Sequence, residues 1–279
     1  MTQKLDTLKV PGATIYHEVR GTGPVLLTIT GGPTDAGMFE SFASQLEDRY
    51  TVVTYDQRGH SRSTMDAPGT DDILQQHADD ATALIDALSS EPVFVMGSSG
   101  GGTIGLELVA RHGEKVRTLV AHEPPLMMLL PDADRFREKF DEIDEAYRTQ
   151  GVFAAMGIFG QLVEEGGPTY SEEMAQQDQT PQQAEMMARM AANFELFIAH
   201  ELRAIGGYVP NIAALRAAPS RIVIGGGKTS AEQAAFRGAK ALADRLGIEL
   251  TWFEGAHGGW GAPEEAFAER VDEVLRGAA

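Results

Sequence analysis

A serine between small residues is the first side chain in this sequence that could perform chemistry. Residues 97–101 read Gly-Ser-Ser-Gly-Gly, which matches the pattern G-x-S-x-G with Ser99 at the serine position. A β-branched apolar stretch precedes this pentapeptide and a helical pattern follows it. Glycine neighbours permit a sharp turn between a strand and a helix, and such a turn exposes the serine oxygen. The pattern predicts that Ser99 is a nucleophile; the alternative is a glycine-rich turn with a solvated serine.

A nucleophilic serine needs a general base to accept its proton. Of the 7 histidines, His257 follows the last predicted strand and lies between small residues, which let a loop carry the imidazole to the serine. We interpret His60 as structural, and His122 as pointing away from its neighbour Glu123, because adjacent residues of an extended segment face opposite ways. The other histidines lie within predicted strands or helices, where a structural role is the simpler interpretation: His17, His77, His112 and His200. We therefore expect His257 to be the base.

Backbone N–H groups that stabilise a developing oxyanion are the third requirement. Residues 30–33 read Thr-Gly-Gly-Pro after a predicted strand. Pro33 has no N–H, so Gly32 is the better donor in this loop. The N–H of Gly100, directly after the nucleophile, would supply the second hydrogen bond. The alternative interpretation is an ordinary loop of turn residues.

The elements that must position these residues alternate along the chain. Helical patterns lie between apolar, β-branched stretches that predict strands. The predicted strands are at 14–19, 25–30, 51–55, 93–96, 116–121, 221–224 and 250–253. Apolar strands that alternate with helices are typical of a parallel sheet covered on both faces. The short turn at 21–24 predicts an antiparallel hairpin between the first two strands. We therefore expect an α/β fold.

Between about residues 125 and 220 the sequence shows helical patterns only. Two sets of apolar residues fall at helical spacing: Phe136, Phe140, Ile143 and Tyr147, and then Met187, Met190, Phe194 and Phe197. Seven of the 11 methionines lie in this region, and methionine adapts to irregular apolar shapes. We expect an α/β core formed by residues 1–124 and 221–279, with an inserted helical cap, or lid, at 125–220. The cap would cover a hydrophobic pocket, although the methionines could equally pack the cap onto the sheet.

The composition narrows the range of partners. The 23 Lys and Arg residues face 41 Asp and Glu residues, a net charge of −18, so we do not expect nucleic acid as a partner. No apolar run approaches the ~20 residues that span a bilayer, and no signal peptide is visible, so we expect no membrane partner and a cytoplasmic location. With 0 cysteines and no metal-ligand spacing, we expect neither a metal nor a cofactor. The oligomeric state stays open, a homodimer included.

Four stretches in this order resemble the α/β-hydrolase superfamily. They are Gly-Gly-Pro at 31–33, Tyr-Asp-Gln-Arg-Gly-His-Ser-Arg-Ser at 55–63, the pentapeptide at 97–101, and Gly-Ala-His-Gly-Gly at 255–259. The resemblance covers nearly the whole chain. It implies the α/β-hydrolase fold, a mostly parallel central sheet flanked by helices with an inserted all-helical cap. It also implies acyl-transfer chemistry on esters, lactones, amides or related bonds.

One position departs from the pattern of the family. Many members carry the acid of the catalytic triad after the strand at 221–224, as G-x-x-D, and Lys228 stands there in this chain. An ammonium group cannot orient the imidazole. The best candidate for the acid is Glu123, at the end of the strand at 116–121, with Glu232 and Glu254 in reserve. The alternative is that Glu123 only begins the cap and bonds to backbone.

The zearalenone-type lactonases resemble this chain most closely. The resemblance lies in the His-Glu-Pro segment at 122–124, in Met-Phe at 38–39 after the oxyanion glycine, and in the helical cap. We expect a serine hydrolase that cleaves a carboxylic ester or lactone of a small hydrophobic substrate through an acyl-enzyme on Ser99, with a macrocyclic lactone as one option. The residues expected to contact the substrate are Met38, Met127, Met156, Phe159 and Trp260.

Two alternatives to this function stay open. The same fold and triad could act on a C–C, amide or thioester bond, or in perhydrolysis. A binding or receptor protein with weak catalysis is the second alternative, because a fold alone does not prove activity.

Overall fold

The strands of this protein form a single mixed sheet. The computed structural model describes residues 3–67, 72–166, 180–259 and 264–277. Its nine strands are β1 (Lys4–Val10), β2 (Ala13–Gly21), β3 (Val25–Ile29), β4 (Thr51–Tyr55), β5 (Thr64–Met65), β6 (Val93–Ser98), β7 (Val116–His122), β8 (Arg221–Gly227) and β9 (Thr251–Phe253). Their order is β1-β2-β4-β3-β6-β7-β8-β9, and β5 pairs with β2.

From β4 to β9 along this order, each strand pairs in parallel with the next. The other three, β1, β2 and β5, are joined by antiparallel pairing. The carboxyl ends of the parallel strands therefore meet along one edge of the sheet, where ligands bind in open α/β sheets. The loops that follow β3, β6, β7 and β9 along this edge carry Gly32, Ser99, Glu123 and His257.

The hairpin predicted across residues 21–24 is wrong. In the sheet β4 lies between β2 and β3, antiparallel to the first and parallel to the second. The strand β2 instead forms its hairpin with β1, where Val10 pairs with Ala13. The sequence pattern missed β1 because this edge strand is mostly exposed and lacks the apolar residues that marked the other strands.

Helices cover both faces of the sheet. They are α1 (Glu40–Leu46), α2 (Ile73–Leu88), α3 (Gly100–His112), α4 (Ala133–Gln150), α5 (Val152–Glu164), α6 (Pro181–Ala192), α7 (Phe194–Leu196), α8 (Leu202–Gly206), α9 (Ile212–Ala217), α10 (Ala234–Leu246) and α11 (Glu264–Leu275). One face is packed by α2, α3 and α10 and the other by α1 and α11. Within the described ranges, every helix is too short or too polar to cross a bilayer.

The helices α4 to α9 lie between β7 and β8, and we call them the insertion helices. A π-helix, Phe197–Glu201, joins α7 to α8. Aromatic and aliphatic side chains of α4, α5 and the π-helix form a buried cluster that is separate from the two clusters against the sheet. This cluster contains the helical stripe that the sequence indicated at Phe136, Phe140 and Ile143.

Candidate active site

Ser99 lies in a strained turn between β6 and α3. Its backbone has φ 54° and ψ −125°, a conformation that costs a residue with a Cβ about 1–3 kcal/mol. Glycine is required on both sides because the helix and strands approach closely. A Cβ on Gly97 would lie 2.3 Å from the Gly101 carbonyl oxygen, and a Cβ on Gly101 would lie 2.0 Å from the Ile29 carbonyl oxygen. The turn therefore presents Ser99 at the edge of the sheet.

The loop after β3 packs against this turn. A Cβ on Gly31 would lie 2.6 Å from the backbone nitrogen of Gly100, and Gly32 has φ 60°. The Gly32 nitrogen is 3.5 Å from the position that a Cβ on Gly100 would occupy. The backbone nitrogens of Gly32 and Gly100 are thus neighbours, and both glycines line the same cavity as Ser99. Two N–H groups in this arrangement could stabilise an oxyanion.

Two side chains donate hydrogen bonds to backbone carbonyl groups of this loop. The Gln57 amide donates to the Thr30 carbonyl over 2.7 Å, and the Thr34 hydroxyl donates to the Gly31 carbonyl over 2.7 Å. Both bonds satisfy carbonyl groups that would otherwise lack partners in a loop that is largely buried. The loop is therefore held in one conformation.

His257 is hydrogen-bonded to Glu123. Its Nδ1 lies 2.7 Å from Glu123 Oε2, and the carboxylate is fully buried. The other oxygen, Oε1, accepts the Gly227 N–H over 2.7 Å and the hydroxyl of Ser230. Burial opposes ionisation, but the hydrogen bond from His257, the neighbouring His122 and the Ser230 hydroxyl together hold the pKa of Glu123 below its ordinary value. Glu123 is therefore a carboxylate.

An ionised acceptor at Nδ1 sets the tautomer of the imidazole. In the neutral imidazole, Nδ1 of His257 donates to Glu123 and Nε2 carries no proton, so Nε2 can accept one. His257 lines the cavity together with Ser99. The reserve acids lie elsewhere: Glu254 pairs with Lys228 at the surface and Glu232 is exposed. In the described part of the chain, only Glu123 among the three is bonded to His257.

The remaining lining of the cavity is apolar. None of its described residues carries a Lys, Arg, Asp or Glu side chain: beside the two glycines, Ser99 and His257 they are Pro125, Met127, Phe140, Phe159, Leu162, Val163, Phe197, Leu202, Ile205, Gly206, Ala234 and Ala235. Most come from the insertion helices. Such a cavity favours an uncharged, hydrophobic ligand, because a charged group would lose its hydration without gaining a partner.

Two of the five residues predicted to contact a substrate, Met127 and Phe159, line this cavity. Met38 and Met156 are not among its described lining residues. Met156 packs one turn before Phe159 against the buried cluster of the insertion helices, and the one-turn helix of Met38 lies beneath Met186, whose sulfur would come 2.9 Å from a Cβ on Gly37. Trp260 lies outside the described residues.

Sequence reasoning did not single out Phe140, Phe197 or Ile205 as part of the site. Their helical spacing marked the two phenylalanines as apolar positions of the insertion. Which apolar side of a helix faces a cavity depends on how the helix docks, and spacing carries no signal for that.

Two other buried groups near the site do not line the cavity. Burial lowers the pKa of His122 to about 4, and this neutral ring packs edge-on against Phe253 and Phe267. His60 is fully buried and bonded to Glu201 over 2.9 Å. Within the described residues, no group of three His, Asp or Glu side chains could hold a metal ion.

Comparison with known proteins agrees with this architecture. A family model described as alpha/beta hydrolase fold matches residues 24–204. The chain belongs to the alpha/beta hydrolase fold family. This confirms the fold that the sequence resemblance implied, a mostly parallel sheet flanked by helices.

Two relatives found by sequence are named as hydrolases. The uncharacterized hydrolase YraK of Bacillus subtilis (strain 168) is 33% identical over 286 residues, which cover 99% of this chain and 97% of that protein. The zearalenone hydrolase of Bionectria ochroleuca is 32% identical over 127 residues, which cover 44% of this chain and 48% of that protein. The chain is thus similar over its full length to one hydrolase and over part of its length to another.

A solved structure supports the same fold. The thermophilic esterase of Thermogutta terrifontis superposes with a TM-score of 0.74 at 19% identity, and the match covers 99% of both chains. At this identity the likeness concerns the fold. The family match and the full-length relative show that this protein is a hydrolase of the alpha/beta fold.

Proposed function

We propose that this protein is a serine hydrolase that opens a carboxylic ester or lactone of an uncharged, hydrophobic substrate. The observation that carries the proposal is the hydrogen bond between His257 and a buried, ionised Glu123, at the edge of a cavity that Ser99 also lines. A serine, an imidazole and a carboxylate in this order are the parts of a nucleophilic acyl-transfer site.

In the proposed reaction, the Ser99 oxygen attacks the substrate carbonyl carbon while Nε2 of His257 takes the proton of the Ser99 hydroxyl. The N–H groups of Gly32 and Gly100 donate to the oxyanion of the tetrahedral intermediate. Glu123 stabilises the imidazolium that forms. The C–O bond to the alcohol then breaks, and His257 returns the proton to the leaving oxygen.

An acyl-enzyme on Ser99 is left, and water completes the cycle. His257 takes a proton from the water as its oxygen attacks the acyl carbon, and then returns that proton to Ser99. An ester gives an acid and an alcohol. A lactone gives one hydroxy acid, because its acyl and alcohol ends are joined.

The apolar lining supports a hydrophobic substrate class. Apart from His257, the described lining of the cavity offers polar groups from Ser99 and the backbone alone, which suit one carbonyl group of a substrate and little else. The partial similarity to a zearalenone hydrolase adds macrocyclic lactones to the substrates worth testing. The proposal extends to lactones on this basis.

Proton release measured in a pH-stat tests the proposal. The panel contains aryl esters, small lactones and hydrophobic macrocyclic lactones, and each bond opened near neutral pH releases about one proton because the product acid has a low pKa. Ser99→Ala should abolish the release. Ser98→Ala is the matched control, since Ser98 is a buried neighbour on β6 that does not line the described cavity, and it should keep the activity.

If no substrate of the panel releases protons, covalent labelling shows whether the panel lacks the right substrate or Ser99 is not activated. A fluorophosphonate should label wild type and Ser98→Ala but not Ser99→Ala, because only an activated serine reacts. Hydrolysis that persists in Ser99→Ala, or labelling that does not depend on Ser99, would refute the proposal.

A further inference from the structure

The residues that follow Gly32 are held by the insertion helices rather than by the sheet alone. Asn193, between α6 and α7, donates from its side-chain amide to the Pro33 carbonyl over 3.1 Å. Arg189 of α6 donates from Nε to Asp35 Oδ2 over 2.8 Å. Asn193 and Asp35 are almost completely buried, so the bond from Asn193 is shielded from water and the bond from Arg189 is shielded at its carboxylate end.

A third connection reaches Thr34, which lies between Pro33 and Asp35. His60 Nδ1 lies 3.3 Å from the Thr34 carbonyl oxygen, and its Nε2 lies 2.9 Å from Glu201 Oε2. Glu201 belongs to the π-helix, and its other oxygen is 3.1 Å from Nε2 of His77. His60, His77 and Glu201 are all buried. Three consecutive loop residues, 33 to 35, are therefore each tied to the insertion.

The contacts of His60 determine its charge. Both ring nitrogens face acceptors, a carbonyl and a carboxylate, and only an imidazolium can donate to both. Burial opposes the charge, but Glu201, the Thr34 carbonyl and Asp56 outweigh it and raise the pKa of His60. His77 donates to Glu201 through Nε2, while its buried Nδ1 has no hydrogen-bond partner among the described residues. Glu201 and His60 thus form a buried ion pair.

Stability alone is a poor explanation for this pair. Buried ion pairs stabilise a fold little compared with apolar residues of the same volume, but they hold their partners in one geometry. The proposed acyl transfer uses neither group, because neither lines the described cavity. The π-helix that carries Glu201 also carries Phe197, and Leu202 follows it; both of these line the cavity. One short segment therefore forms a wall of the cavity and holds the loop of Gly32.

We propose that Arg189, Asn193 and Glu201 are positioning residues that hold the loop at 33–35, and with it the N–H of Gly32, in the orientation that stabilises the oxyanion. A change in the position of the insertion helices would then change the position of the oxyanion loop as well. The catalytic part of this inference rests on the proposed function, whereas the structural coupling can be measured without turnover.

Two arginines of the insertion provide a matched pair of variants. Arg189 binds the loop through Asp35, whereas the carboxylates that Arg203 binds among the described residues are Asp141 and Asp144 of α4, within the insertion itself. Hydrogen exchange followed by mass spectrometry reports on the amides of residues 30–36. Arg189→Ala should speed this exchange about tenfold, the effect of losing one charged hydrogen bond, and Arg203→Ala should leave it unchanged.

Turnover gives the second readout, with p-nitrophenyl butyrate as the probe. Arg189→Ala should lower kcat about tenfold with KM within about twofold of wild type, because an oxyanion interaction exists mainly in the transition state. Arg203→Ala should match wild type in both constants. Unchanged exchange at 30–36 in Arg189→Ala, or an equal change in Arg203→Ala, would overturn the inference.

Glu201→Gln tests the buried pair, with Asp272→Asn as control. Asp272 is also a buried carboxylate; it binds Arg49, Tyr50 and Arg276, and among the described residues none of its hydrogen bonds reaches residues 33–35. Both variants should lower the melting temperature, but only Glu201→Gln should speed exchange at 30–36. If Glu201→Gln does not fold, Arg189→Ala still decides, because Arg189 is partly exposed.

The outcomes separate this inference from the proposed function. Faster exchange at 30–36 in both loop variants, with no hydrolysis by wild type, would support the coupling and contradict the hydrolase proposal. Turnover that depends on Ser99, with exchange unaffected in both variants, would contradict the coupling and leave the hydrolase proposal intact.

Discussion

Glu123 reaches His257 from the end of β7, and the loop after β8 holds the carboxylate in place from the other side. The Nδ1–Oε2 distance is 2.7 Å, while Gly227 and Ser230 donate to Oε1. In many members of the family the loop after β8 carries the acid itself. Here Lys228 occupies that position and pairs with Glu254 at the surface. The loop after β8 therefore donates hydrogen bonds to a carboxylate from the neighbouring strand.

Glu123→Gln should lower kcat strongly and leave the fold intact. A glutamine amide can present an N–H to Nδ1 and favour the wrong tautomer, a defect that costs about 10⁴-fold in the serine proteases. We expect a loss of at least about 100-fold in steady-state assays. Glu254→Gln is the control, since this carboxylate lies at the surface, and it should retain full activity. The opposite ranking of the two variants would exclude Glu123 as the acid.

Ser230→Ala should have a smaller effect of the same kind. It removes one of the two donors to Glu123 Oε1 and leaves the Gly227 N–H. A hydrogen bond to a charged group contributes about 1.5–3 kcal/mol, so kcat should fall about tenfold or more with KM unchanged. Thr229→Ala changes the exposed neighbour and should have no effect. Equal rates for both variants would remove Ser230 from the site.

Gly101→Ala should prevent stable folding, whereas Gly157→Ala should stabilise the protein. The Cβ of an alanine at 101 would lie 2.0 Å from a backbone oxygen of β3, which cannot move aside. We expect the free energy of unfolding to fall by on the order of 4 kcal/mol or more. Gly157 lies within α5 with open space around it. Alanine there should raise the free energy of unfolding by about 0.5–1 kcal/mol, because it favours the helix over glycine. Urea denaturation of both variants measures these changes, and a stable Gly101→Ala would contradict the close approach.

The free energy of unfolding should fall as the pH falls from 6.5 to 4. Burial lowers the pKa of His122 to about 4, so in this range the unfolded chain takes up a proton that the folded chain excludes. The contribution of this ring is therefore full above pH 6.5 and is lost towards pH 4, by about 3 kcal/mol.

His122→Leu should flatten that dependence, because leucine does not titrate. The control is His112→Gln, at a partly exposed histidine beside Asp79, which should keep the wild-type slope. Urea denaturation at half-unit intervals of pH measures both. A slope in His122→Leu equal to that of wild type would assign the titration to another group.

The sequence predicted the parts of the site that depend on local structure. Glycine at 97 and 101 marked the turn around Ser99, because a strand and a helix can meet so closely only where side chains are absent. The absence of an N–H on Pro33 singled out Gly32 as the donor in its loop. Alternation of apolar strands and helices predicted the α/β fold, since it records which elements are buried on both faces.

Contacts between distant parts of the chain were beyond that reasoning. The edge strand β1 carries too few apolar residues to be recognised, and without it β2 and β3 looked like a hairpin. Met38 and Met156 have the same chemistry as Met127, and only the docking of the insertion decides which of them reaches the cavity.

The amino-acid sequence by itself therefore determined the fold family, the serine turn and the histidine loop, because each is encoded in consecutive residues with distinctive steric needs. Only the tertiary structure decided that Glu123 meets His257 across 134 residues of sequence. It also decided that Arg189 and Asn193 bind the loop at 33–35 directly and that Glu201 reaches it through His60. The physical reason is that a carboxylate or an amide finds its partner through the packing of whole elements. Residue spacing along the chain carries no record of that packing.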